Sequence, residues 1–242
     1  NTIVALEKSG VLLSKVADVF FNLASADTNA ALQAVEREMA PRLARHQSAI
    51  LLNRRLFLRI ADLYARRDDL GLDAEALRLL ERTYKGFVRA GANLSDADKD
   101  MMRKLNVEET TLSTKFHNQL VAATAAAAVV VDDLAQLDGL SEGEIAAAAA
   151  AAKARDLDGK WLLSLQNTTT QPVLASLKNR ELRARVLEAS ETRTEQSDDN
   201  DTRAVIQRLA QLRAEKARLL GFATFADYQL GDQMAKTPDM AL

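Results

Sequence analysis

His46 and His117 are the two histidines of a chain with no cysteine, so they are its neutral nitrogen donors for a metal ion. Zinc hydrolysis needs three or four ligands, typically two histidines one helical turn apart with a glutamate beside the first as general base. Neither histidine has a second one four positions away, and each falls on a predicted helix beside apolar positions. A structural role therefore outweighs a ligand role at both, and this chain is expected to bind no zinc of its own.

The other chemistries fail on spacing as well. No Gly-x-Ser-x-Gly elbow exposes a serine nucleophile, and the glycines are scattered singly rather than grouped before a helix to cradle a phosphate. The acidic string Asp198, Asp199, Asn200, Asp201 opens like a calcium loop, but counting from Asp199 the sixth position is Ala204 and the twelfth Ala210, where glycine and glutamate belong. Helix capping is the better reading of that string. Glu108 with Glu109 and Asp132 with Asp133 are adjacent pairs, which point apart on a helix or a strand instead of converging. No catalytic, cofactor-binding or metal-binding residue is assigned.

Arg54, Arg55, Arg59, Arg66 and Arg67 cluster, yet Asp62, Asp68 and Asp69 interleave with them as on a mixed solvated helix face. Across all 242 residues, 32 basic side chains nearly cancel 34 acidic ones, so there is no broad positive field for nucleic acid. The apolar runs 125–131 and 145–152 are far shorter than the ~20 residues that span a bilayer, so no membrane segment is expected. The cytoplasm is the expected compartment, with the periplasm left open. The opening at Asn1 rather than methionine, and the helix-start signal Thr237–Pro238 just before Leu242, suggest that both ends are truncated.

The elements that would position any site are mainly helical. Asn1 or Thr2 could cap a first turn, and Val11, Leu12, Val16, Val19, Phe20 and Leu23 recur at a spacing that predicts a buried stripe over 11–25. A second helix follows Asp27, and Pro41 either kinks it or starts another. Asp73, Ser95 with Asp98, Ser141 with Glu144, Asp201 or Thr202, and Thr224 with Asp227 are cap signals; Gly71, Gly91 and Gly221 are stop signals. Pro172 suits the first position of a helix, after which two helices or one bent helix fit. Val129–Val131 and Trp161–Leu165 read as two antiparallel strands, joined by an alanine-rich helix. With three prolines and nine glycines to build linkers from, residues 1–242 are expected to form one continuous helical body.

Several strings also resemble the thimet oligopeptidase family of metallopeptidases, in particular its bacterial peptidyl-dipeptidase branch. The closest runs from Asn200 to Pro238, NDTRAVIQRLAQLRAEKARLLGFATFADYQLGDQMAKTP. NTIVALEKSG at the start, DLGLDAEALRLLER from Asp69, FVRAGANLSDADK from Phe87 and KWLLSLQNTTTQPVL from Lys160 agree in order. The resemblance implies a channel-forming zincin-type fold with zinc on the channel floor, held by His-Glu-x-x-His and a distant glutamate, and oligopeptide substrates that lose dipeptides from a free carboxyl end. None of those metal positions exists in residues 1–242. By the same resemblance this portion is amino-terminal channel wall, its catalytic partner lying beyond Leu242. The rival class is a non-enzymatic helical scaffold or interaction module.

Overall fold

A computed structural model of the chain describes residues 2–242, leaving out the side chains of residues 167–171. The expected cap at Asn1 lies outside the described residues. The fold is mainly helical with one two-stranded antiparallel sheet. It divides into two compact units, residues 2–114 with 208–242, and residues 115–207.

The first unit begins with α1 (Thr2–Lys8), α2 (Val11–Ala26) and α3 (Ala30–Leu51). α3 follows Asp27 as expected, and Asn29 caps it: its side chain accepts the backbone N–H groups of Ala31 and Leu32 at 3.0 Å. Of the two readings of Pro41, a new helix start does not hold: it lies inside α3, where the surrounding turns hold the helix although one N–H is lost. Of the stripe expected to be buried on α2, Val11, Leu12, Val16, Val19 and Leu23 are instead exposed and Phe20 is half-buried; only Ala24 of that helix is buried. The period was right, but α2 meets α3 through a different face.

The core of this unit lies between α4 (Arg54–Ala65) and α5 (Ala74–Arg89). Phe57 and Ile60 of α4 pack with Phe87 and Ala92, and Tyr84 stacks on Tyr64 with ring centroids 4.0 Å apart. Burying side chains of this size contributes roughly 1.5–3 kcal/mol each, enough to seat two helices whose outer faces are arginine-rich. Asp73 caps α5 by accepting the Ala76 N–H at 2.8 Å. At the far end Ala92 N–H donates to the Phe87 carbonyl and Gly91 N–H to that of Val88, a Schellman closure. It needs glycine at 91: φ is +99°, and a Cβ there would come within 2.7 Å of Leu94 Cδ1.

The long helix α6 (Asp96–Ala126) starts at Ser95, whose hydroxyl accepts the Asp98 N–H at 3.1 Å as the capping signal predicts. The chain passes to the second unit within α6, and returns within α10 (Arg203–Leu219), which ends at Gly221 in the same Schellman closure. α11 (Phe225–Leu230) and α12 (Pro238–Ala241) follow; Thr224 with Asp227 forms the expected reciprocal cap, and Thr237 with Pro238 the expected helix start.

The second unit holds the sheet. β1 (Val129–Val131) pairs with β2 (Trp161–Leu163) in the register Val129↔Leu163 and Val131↔Trp161. Between them α7 (Glu142–Lys153) is opened by the Ser141–Glu144 capping box. α8 (Asn167–Ser176) starts before Pro172, which therefore sits inside the helix and not at its first position. α9 (Arg180–Thr192) is a separate helix capped by Asn179. The core of this unit joins Val131 of β1, Leu163 of β2, Ala148 of α7 and Val186 of α9 around Leu137, which is fully buried.

Candidate functional site

In the first unit a groove of about 810 Å³ opens among α2, α3 and α6, with the end of α5 and residues of α10 and α11 at its margin. Its lining is mixed: Leu13 and Phe21 of α2 and Leu43 of α3 are apolar, whereas Arg89, Glu109 and Lys216 are charged. The polar members engage one another. Asn106 donates from Nδ2 to Ser48 Oγ at 3.1 Å, tying α6 to α3. Arg89 donates to the Tyr228 carbonyl at 2.7 Å and lies over the Tyr228 ring, 4.7 Å from its centroid.

Two carboxylates on α6 meet the basic face of α10. Lys216 Nζ donates to Glu109 Oε2 at 2.6 Å and Arg213 Nε to Oε1 at 3.2 Å. Burial pushes the Glu109 carboxyl up, but these donors and their charges outweigh it and leave Glu109 below the usual carboxylate range. Glu108 takes a bidentate pair from Arg208, Nε to Oε1 at 2.7 Å and Nη2 to Oε2 at 3.0 Å. That hydrogen bonding lowers the Glu108 pKa, and Glu108 with Glu215 raises that of Arg208. Glu108 and Glu109 thus face separate cations instead of sharing a proton. Nothing local in the sequence announced this network, because its partners are brought together only by the packing of α6 on α10.

The remaining candidates go to structural partners. Asp201 accepts the backbone N–H of Arg203 at 3.0 Å and that of Ser197 at 3.1 Å while its carboxylate pairs with the Arg203 guanidinium, so of the acidic string Asp201 satisfies the first N–H of α10. The same contacts, led by Arg203, pull the Asp201 pKa down to about 2. Asp132 pairs with Lys160 at 2.7 Å, and Asp133 accepts the Ala135 N–H at 2.9 Å. In the arginine cluster Arg66 pairs with Asp62, and Arg67 lies over the Tyr64 ring.

His46 lies exposed on α3 at the groove, and His117 is half-buried on α6 in the second unit. Among the described residues no three His, Cys, Asp or Glu side chains gather as a metal group. The described donor set therefore does not fit zinc. A second cavity, of about 590 Å³ beside β1, is edged by Arg185, which donates to the Val130 carbonyl at 3.1 Å. No helix among the described residues is long and apolar enough to cross a membrane.

Comparison with known proteins adds what the geometry lacks. The model of Peptidase family M3 matches residues 173–242. The chain is homologous over its whole length to the dipeptidyl carboxypeptidase of Escherichia coli (strain K12), with 48% identity over 242 residues that cover 36% of that protein. It is 45% identical over the same span to the dipeptidyl carboxypeptidase of Salmonella typhimurium, again 36% of that protein's length. A probable cytosolic oligopeptidase A of Arabidopsis thaliana is 28% identical over 236 residues, 95% of this chain and 34% of the plant protein. The chain thus spans about a third of the length of the curated relatives it matches.

Proposed function

We propose, from homology to bacterial dipeptidyl carboxypeptidases along the whole chain, that residues 1–242 are part of a zinc metallopeptidase releasing dipeptides from the free carboxyl end of oligopeptides. The observation that carries this reading is 48% identity over an alignment that spans all 242 residues, which a chance likeness between helical proteins does not give. Zinc in the whole protein would activate water against the peptide carbonyl. Because His46 and His117 do not fit a zinc site, the ligands are assigned to the remaining portion of the longer protein, and residues 1–242 take the role of amino-terminal channel wall. The wall's part is to bind and orient substrate: a groove with an apolar lining and a charged margin suits a short peptide, whose side chains and backbone need both.

The test uses the complete zinc-loaded protein and a pair of short peptides that differ only in a free or amidated carboxyl end. Dipeptides should accumulate from the free acid and not from the amide, as read by mass spectrometry. Products of another length, or equal cleavage of both peptides, would reject the reaction class. The 242-residue chain alone, dialysed after zinc loading, should retain far less than one equivalent of metal and release no dipeptide.

A further inference from the structure

The outward face of α2 is an apolar stripe that stands exposed among the described residues. Leu12, Val16, Val19 and Leu23 are 76%, 59%, 63% and 49% exposed, although their four-three-four spacing aligns them along one side of the helix. A different face of α2 serves the first unit: Ala24 is buried, and Leu13 and Phe21 line the groove. Four-three-four is the spacing at which one helix presents knobs to the holes of another. Lys15 is exposed and borders the stripe on the helical wheel.

We propose that this stripe seats an amphipathic helix of the remaining portion of the longer protein, with an apolar stripe of its own and an acidic side chain at the edge facing Lys15. The inference rests on the function proposed above, since it needs a longer chain. Size decides the occupant. From Leu12 to Leu23 the stripe is ~16 Å long, and with a helix's width it offers a few hundred Å², well short of the ~800 Å² per partner of a stable interface between separate molecules. A second copy of this chain or a free protein would be held weakly there. A helix on the same chain arrives at an effective concentration in the millimolar range, at which so small a stripe suffices. The dipeptidyl carboxypeptidases that match this chain throughout have most of their length outside the matched span, ample to supply such a helix.

The absence of cysteine in residues 1–242 makes the test direct. Val16→Cys on the stripe and Ser25→Cys, at an exposed position on another side of α2, are labelled with a maleimide in the 242-residue chain and in the complete protein. Peptide mapping reads the rate at each position. Val16→Cys should react about tenfold or more slowly in the complete protein than in the 242-residue chain, while Ser25→Cys reacts at similar rates in both. Equal rates at Val16→Cys would overturn the proposal. So would protection that appears in the 242-residue chain and grows with its concentration, which would assign the stripe to a second copy. Dipeptide release is assayed on the unlabelled complete protein: protection without release would reject the reaction and leave the seat standing, and release without protection would do the reverse.

Discussion

α2 and α9 carry the same kind of sequence signal and meet opposite fates. Leu182 and Val186 of α9 are 1% and 0% exposed in the core of the second unit, whereas Leu12 and Val16 of α2 stand out at 76% and 59%. Helical periodicity says that a face is built to be covered. It does not say that the same stretch of chain supplies the cover. α9 finds β1, β2 and α7 within its own unit; α2 turns Leu13, Phe21 and Ala24 inward and leaves Leu12, Val16, Val19 and Leu23 exposed.

The sharpest way to break this contrast is a matched truncation of one leucine on each helix. Leu182→Ala should destabilise the 242-residue chain by about 2–5 kcal/mol, the usual range for a buried leucine. Leu12→Ala should change it by less than about 0.5 kcal/mol. Urea midpoints followed by circular dichroism measure both, and equal losses would mean that α2 is covered after all.

Backbone positions extend the comparison. Gly139 has φ +100°, and a Cβ there would fall 2.1 Å from the Ser176 carbonyl oxygen, which the backbone cannot easily move away. Gly139→Ala should cost about 2–4 kcal/mol. Gly71 has φ +60° with nothing within 4 Å, so Gly71→Ala carries only the conformational cost, about 1 kcal/mol. A smaller effect at 139 than at 71 would contradict the close approach.

Charge pairs should divide in the same way between covered and uncovered. Glu109 is 20% exposed at its side chain and Lys216 15%, so Glu109→Gln, which strands two cations, should cost about 1–2 kcal/mol. Asp62 and Arg66 are 61% and 56% exposed, and Asp62→Asn should cost less than about 0.5 kcal/mol.

The smallest expected effect is a pH dependence at the cap of α10. The Asp201 pKa falls from 3.8 to about 2 on folding. A lowered carboxyl contributes stability that is fully present above the unfolded value, and that is lost as pH falls from about 4 through about 2. Asp201→Asn should flatten the acid limb of a stability profile in that window and leave neutral pH little changed in slope. An unchanged acid limb would remove Asp201 from the explanation.

What was legible in the sequence was local. Asp73, Ser95, Ser141 with Glu144 and Thr224 with Asp227 cap helices because the partner N–H lies two or three residues away. Gly91 and Gly221 close helices because the positive φ belongs to the residue itself. The strand runs paired as read, though β2 stops at Leu163 rather than Leu165. Pro41 was left open between a position within one helix and a new start, and it lies within α3; Pro172 misled, since its helix runs through a proline that propensity would use as a first position. The groove and the Glu108–Arg208 pair were invisible for a different reason: the groove exists only where α2, α3 and α6 pack, and the pair only where α6 packs on α10, about which spacing along the chain is silent.

The stacked tyrosines and the β2 tryptophan divide the chain's light absorption between its two units. Trp161, the one tryptophan, lies in the second unit, while Tyr64, Tyr84 and Tyr228 all lie in the first. Fluorescence excited where only indole absorbs therefore watches the sheet unit by itself, and tyrosine emission or near-ultraviolet dichroism watches the helical unit. A melt recorded in both channels without any added label gives one midpoint if the units unfold together and two if they do not.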